Sequence, residues 1–143
     1  IQPMLIAHEN DLKVKRLAGK IDRVLVDAPC SGMGTLRRNP DLKFRQSPQS
    51  VTDLTQKQTA ILASASRLVK KGGRLVYATC SILREENQAI VEVFLASHPE
   101  FVLRPAGEVL QQQKVDLEMG DYLELRPHLH NTDGFFAAVL ERV

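Results

Sequence analysis

The chain carries two cysteines, and both sit in the same local setting. In Val24-Leu25-Val26-Asp27-Ala28-Pro29-Cys30-Ser31-Gly32 an apolar run stops at an acid, and Pro-Cys-Ser-Gly follows. In Leu75-Val76-Tyr77-Ala78-Thr79-Cys80-Ser81 a second apolar run ends in another Cys-Ser pair. Two thiols and a carboxylate gathered in one place make a defined chemistry available. A thiolate adds to an electron-poor carbon. A carboxyl beside it gives or takes a proton. A second thiol serves as base or as alternative nucleophile.

The elements that must position these groups follow from the pattern. Arg23 to Asp27 is a continuous β-branched run, which predicts a strand buried on both faces. Arg74 to Thr79 predicts a second strand. Cys30, Cys80 and Asp27 fall at carboxyl ends of strands, where open α/β sheets bind their ligands. Neighbouring strands lie ~4.8 Å apart, so two such ends can face one pocket. Elsewhere, Met4 to Ala7 predicts a short strand, and Leu12 to Leu17 a helical turn or two ended by Gly19. Residues 31–50 read as a long polar connection of the kind that is functional when ordered. A helix capped by Ser50, with Asp53 in its first turn, runs to Lys70-Lys71-Gly72-Gly73. That glycine pair precedes a strand, so it is a helix end and no phosphate loop. A further helix spans Arg84 to Ser97, with Glu85 and Glu86 at its positive end and Pro99 as its stop. Phe101 to Leu103, Tyr122 to Leu125 and Phe135 to Leu140 predict strands, and 105–120 a loop. Strands alternating with helices imply a mostly parallel α/β sheet with an antiparallel pair at the end.

The bulk composition narrows the class. At 143 residues the chain is long enough for one domain with its own core. It is 43% hydrophobic and 25% charged, ordinary for a globular protein. No apolar run approaches the ~20 residues of a membrane helix, and no basic leader opens the chain. The expectation is a cytoplasmic protein with free thiols. The net charge of +2 is mild. Local clustering matters more: Arg37, Arg38, Lys43 and Arg45 crowd one connection together with Phe44. The opening at Ile1 without a Met suggests part of a longer chain.

One reaction uses two thiols and an acid together. Carbon 5 of a pyrimidine is a poor nucleophile until a thiolate adds at carbon 6, and an acid at ring N3 eases that addition. Asp27-Ala28-Pro29-Cys30-Ser31-Gly32-Met33-Gly34 with Arg37-Arg38-Asn39-Pro40-Asp41 resembles motif IV of the Sun/Nop family of RNA (cytosine-5) methyltransferases. Tyr77-Ala78-Thr79-Cys80-Ser81 with Glu85-Glu86-Asn87 resembles its motif VI, and Thr132-Asp133-Gly134-Phe135-Phe136-Ala137 its last strand. The three occur in the family's order and spacing across residues 21–143. The resemblance implies the bacterial 16S rRNA type, with residues 1–143 forming the distal part of one catalytic domain. Its fold would be part of a doubly wound, Rossmann-like class I sheet lacking the first strands. It implies Cys80 as nucleophile and Cys30 as the group assisting product release. Asp27 would contact the cytosine edge and, with Pro29, line the S-adenosylmethionine site. Asn10 or Asp11 would correspond to the acid that touches adenine. The family's glycine-rich cofactor loop is not present, so the isolated chain is expected to be inactive. RNA is the implied partner, ribosomal before transfer RNA. A shortened sheet would expose an edge and an apolar face, predicting self-association.

Plainer readings compete. Cysteines are mostly inert core residues. A disulfide between adjacent strand ends is a third possibility. Asp27 could cap a loop. The cations could be a solvated face or could contact RNA phosphate, and Phe44 is expected to anchor its loop before it stacks on a base. His128-x-His130 lacks ligand partners, so no metal is expected. At the level of the whole chain the rivals are a thiol-disulfide protein using Cys30 and Cys80, and a non-enzymatic RNA-binding module.

Overall fold

In the computed structural model, which describes residues 2–143, Asp11 caps a short helix α1 (Leu12–Lys15) by accepting the Lys13 amide at 2.9 Å. Strand β1 (Ile21–Asp27) follows, then a 3-10 turn at Met33–Thr35 and helix α2 (Leu42–Arg45). Helix α3 (Pro48–Ser66) begins one turn earlier than Ser50 predicts. Ser47 is the cap and Pro48 the first helical residue, where a missing N–H costs nothing. Ser47 and Ser50 exchange side-chain and backbone bonds in a reciprocal capping box. Asp53 therefore lies beyond the first turn.

Helix α3 also ends earlier than expected, at Ser66, and strand β2 (Val69–Thr79) already includes Lys70-Lys71-Gly72-Gly73. Those residues form a bulge: Ile21 pairs with Val69, but Arg23 pairs with Arg74. Lys70 there forms an ion pair with Asp22 instead of capping a helix. The predicted helix from Arg84 is split into a 3-10 turn (Arg84–Glu86) and α4 (Gln88–Ser97) by the irregular backbone of Asn87. Strand β3 (Phe101–Arg104) follows. The expected loop at 105–120 contains α5 (Ala106–Gln112), whose Ala, Glu, Leu and Gln are good helix formers. Strand β4 (Leu123–Leu125), helix α6 (Pro127–His130) and strand β5 (Phe135–Arg142) complete the chain. Met4 to Ala7 forms no strand, because no neighbouring strand takes up its backbone groups.

The sheet order is β1-β2-β5-β3, with β4 also pairing β5. Only β1 and β2 are parallel; β5 runs antiparallel to β2, β3 and β4. A mixed sheet thus replaces the mostly parallel one, because the long β5 returns between β2 and the two short strands. Helix α3 packs on β1 and β2, and α4 packs on α3 and β3. Leu62, Val69, Leu75, Tyr77, Val91, Phe136 and Leu140 form the centre of the core. Strand β1 is not buried on both faces. Val26 is buried, but Leu25 is 69% exposed, because β1 is the sheet's edge and its helix lies on one side.

Candidate active site

The parallel pairing of β1 and β2 sets the site. Asp27 aligns with Ala78, so the two chains leave the sheet side by side, and the Ala28 amide donates to the Ala78 carbonyl at 2.9 Å. Cys30 lies three residues past Asp27 and Cys80 two past Ala78. Their Sγ atoms stand 3.3 Å apart, and both are free thiols. That is contact distance, well beyond the ~2.05 Å of a disulfide bond. Burial pushes the Cys30 thiol up to about 12, and the neighbouring Cys80 thiol adds to the effect. Cys30 is therefore protonated at neutral pH and has a hydrogen to share with the Cys80 sulfur.

The residue after each cysteine is buried, and both meet Glu86. The Ser31 amide donates to Glu86 Oε1 at 2.8 Å and its hydroxyl to Oε2 at 2.6 Å. The Ser81 hydroxyl donates to the same Oε2 at 2.5 Å. Gln58 of α3 gives its Nε2 to Oε1 at 3.1 Å and to the Pro29 carbonyl at 2.9 Å. A carboxylate is acceptor-only, and each partner here is a donor. Removing one side of such a buried contact strands its partner at a cost of about 1–3 kcal/mol. Asn87 completes the set. Its Oδ1 accepts from the Thr79 hydroxyl at 2.6 Å, and its Nδ2 donates to the Ser81 carbonyl at 2.9 Å. Tyr77 is fully buried and donates to the Glu86 carbonyl at 2.7 Å; burial raises its pKa.

A third segment locks onto the two loops. The Gly34 amide donates to the Cys80 carbonyl at 2.9 Å, and the Gly134 amide donates to the Gly34 carbonyl at 2.7 Å. A Cβ on Gly34 would stand 2.6 Å from the Cys80 carbonyl oxygen, so this approach requires glycine. Beside it Arg38 pairs with Asp133, and Arg37 donates to the Thr132 carbonyl at 3.2 Å. All three regions that resemble family motifs therefore meet at the cysteine end of the sheet.

The other predicted residues fall unevenly. Asp27 is exposed at the end of β1, and no hydrogen bond or ion pair engages its carboxylate among the described residues. It does not cap the loop that follows. Pro29 is exposed beside Cys30. Asn10 and Asp11 are not drawn to the cysteine loops by any hydrogen bond among the described residues. Asn10 bonds Glu9, and Asp11 accepts the Lys13 and Ala7 amides, which hold its carboxyl below the usual range. The cations of the connection all have partners. Besides Arg37 and Arg38, Arg45 pairs with Asp41 at 2.7 Å, and Lys43 lies 4.9 Å from the centre of the Phe44 ring. Phe44 is 82% exposed, so it does not anchor the loop as expected. Among the described residues no group of three or more His, Cys, Asp or Glu side chains could hold a metal ion, and no helix is long and apolar enough to cross a membrane.

Sequence reasoning misses Gln58, and it places Glu86 and Asn87 in the motif VI resemblance without a bonding role. In sequence Glu86 opens an apolar periodic run, which points to a helix dipole and not to a buried acceptor. The available signal was the duplicated Cys-Ser step, which calls for an acceptor common to both serines.

The model of the family described as 16S rRNA methyltransferase RsmB/F matches residues 2–141. The "Probable ribosomal RNA small subunit methyltransferase B" of Synechocystis sp. is 43% identical over 122 residues, which are 85% of this chain and 27% of that protein. The crystal structure of PH0851 matches with TM-score 0.78 and 41% identity over 87% of this chain and 27% of its own. The structure of NSun6 from Pyrococcus horikoshii with SFG matches with TM-score 0.73 and 28% identity over 92% of this chain and 32% of its own. The chain thus spans about a quarter to a third of the length of these relatives.

Proposed function

Since the chain belongs to the 16S rRNA methyltransferase RsmB/F family, we propose that it forms the thiol-bearing part of an enzyme methylating carbon 5 of cytosine in ribosomal RNA. The observation that carries this reading is the 3.3 Å contact of Cys30 and Cys80 at adjacent strand ends, with Asp27 exposed at the end of β1. Methyltransferases of this family use S-adenosylmethionine, and Asp27 and Pro29, exposed at the end of β1, are the residues here that would face it. When bound, the cofactor supplies the methyl group as a sulfonium electrophile.

The chain's own residues divide the remaining work. Cys80 adds its sulfur to carbon 6 and turns carbon 5 into a nucleophile. Asp27, acting as the acid, donates its proton to ring N3 and stabilises the negative charge that the addition places there. When the methylated adduct breaks down, a water takes the carbon 5 proton, the carbon 5–carbon 6 double bond reforms and the Cys80 sulfur leaves as thiolate, stabilised by the S–H of Cys30, which burial holds protonated. The exposed Phe44 and the cations around it form a surface at which RNA phosphate and an unstacked base are received. Transfer RNA is the alternative substrate.

The test is covalent trapping. The chain is exchanged for the matching residues of the Synechocystis relative and given S-adenosylmethionine and ribosomal RNA carrying 5-azacytidine. A denaturing gel is expected to show a protein–RNA adduct that persists with Cys30→Ala and disappears with Cys80→Ala. Loss with Cys30→Ala alone would reverse the roles of the two thiols. No adduct from a folded, cofactor-binding parent would sink the reading. The second reading, a redox dithiol, is favoured by the same contact, and a titratable disulfide without RNA reactivity would support it.

A further inference from the structure

The proposed chemistry uses two thiols and Asp27, yet the carboxylate that the fold surrounds most completely is another one. Glu86 is fully buried and takes four hydrogen bonds, three of them from Ser31 and Ser81. Each serine is the residue directly after a cysteine. We propose that Glu86 is a positioning residue: through Ser31 and Ser81 it clamps the two cysteine-bearing loops together and so sets the contact between the Cys30 and Cys80 thiols.

The bonding pattern fits a clamp better than the incidental satisfaction of a buried acid. The two loops come from different strands and share no covalent link over fifty residues of chain. Glu86 grips Ser31 by both amide and hydroxyl, which fixes the peptide plane leaving Cys30. Gln58 bonds both Glu86 and the Pro29 carbonyl, which fixes the peptide plane entering Cys30. On the other loop, Ser81 is held by Glu86 at its hydroxyl, by Thr79 at its amide and by Asn87 at its carbonyl. The cysteines are thus held by their neighbours along the chain, while the two residues are half-buried and their sulfurs make no hydrogen bond to Glu86 among the described residues. The catalytic consequence rests on the methyltransferase reading; the geometric one does not.

Thiol spacing can be read directly. A trivalent arsenical such as phenylarsine oxide is held tightly by two thiols in contact and weakly by one. The full 143-residue chain is expected to bind it through both cysteines, with Cys80→Ser as the single-thiol reference. Glu86→Gln keeps the size but turns one acceptor into a donor facing donors. It is expected to weaken arsenical binding about tenfold by loss of preorganisation, at a temperature where circular dichroism shows the folded state. Should that variant not fold, Ser31→Ala with Ser81→Ala releases the loops from the other side and is expected to give the same loss. In that background Glu86→Gln should add little, since the residues act as one unit. In the exchanged full-length enzyme, Glu86→Gln should lower kcat about a hundredfold through misplacement while KM for RNA stays within about twofold. Unchanged arsenical affinity in the variants overturns the clamp. A parent that binds the arsenical but forms no RNA adduct overturns the methyltransferase reading and leaves the clamp standing.

Discussion

The two flanks of β1 are built on opposite principles. At its C-terminal end, Ser31, Ser81, Glu86, Gln58, Thr79 and Asn87 are buried polar groups wired to one another, and the two thiols sit on that wiring. On its open side, Leu25 is 69% exposed; elsewhere, the segment before α1 leaves Met4 and Leu5 at 55% and 88%. The first flank holds its geometry by satisfying donors and acceptors, which is directional and intolerant of change. The second presents apolar surface that specifies no geometry until something covers it. A site that must hold two sulfurs in contact is found on the flank whose contacts are directional.

Within the wired flank the largest effect on stability is expected where there is no room. A Cβ on Gly34 meets the Cys80 carbonyl oxygen at 2.6 Å and the Gly134 carbonyl oxygen closer still. Both neighbours are backbone, so neither can swing aside. Gly34→Ala is expected to destabilise the chain by about 1–3 kcal/mol, the range for overpacking. It should also loosen the Cys80 loop, read as faster alkylation of Cys80 by iodoacetamide. Urea unfolding of the variant within about 0.5 kcal/mol of the parent would show that this end is softer than its hydrogen bonds imply.

The same contrast explains what the sequence revealed. The thiols, Asp27 and the strands that carry them were legible, because a short apolar run ended by an acid or by Cys-Ser is a local signal. The family was legible from three motifs across residues 21–143, and the family model matches residues 2–141. Glu86 was not legible as a buried group, because its burial depends on Ser31, fifty-five residues away in the chain. The cap of α3 was misplaced by one turn because two serines compete there and only the proline between them decides. The exposed face of β1 was read as buried because β-branched composition reports a strand but not its place in the sheet. The strand expected at Met4 to Ala7 failed for the same reason: composition supplies a strand's residues but not its neighbour.

A middle-sized effect sharpens the comparison through pH. The Cys30 thiol is raised to about 12 when folded, chiefly by burial. In the unfolded chain a thiol ionises near its ordinary value of about 8.5. The folded state therefore binds the proton more tightly, so its advantage is complete below about pH 8.5 and is lost as pH rises from there toward 12. Burial raises Tyr77 as well, which adds a further loss at the most alkaline end. The urea midpoint of the parent is expected to fall between about pH 8.5 and 10, and that of Cys30→Ser, which has no thiol to ionise, to fall less. Equal slopes would mean that Cys30 is no more shielded than the open flank.

The smallest effect on stability is expected on the open flank itself, where association changes instead. Among the described residues β1 has a strand partner on one side only, and Leu25 is 69% exposed on it. An unpaired edge beside exposed apolar side chains favours pairing with a second copy, and a lysine there is the usual guard against it. The chain is expected to self-associate as its concentration rises in sedimentation velocity. Leu25→Lys should shift it toward monomer while moving the unfolding free energy by no more than about 0.5 kcal/mol, as befits a residue that buries little. A parent that stays monomeric throughout would remove the association. A variant that loses several times that stability would show that Leu25 is packed in solution. The neighbouring Val26, one residue along and 6% exposed, is the internal control. Val26→Lys should unfold the chain, because its side chain points to α3 and a charge there has no partner. Adjacent positions with opposite responses to one substitution would place the boundary between the two flanks within β1 itself.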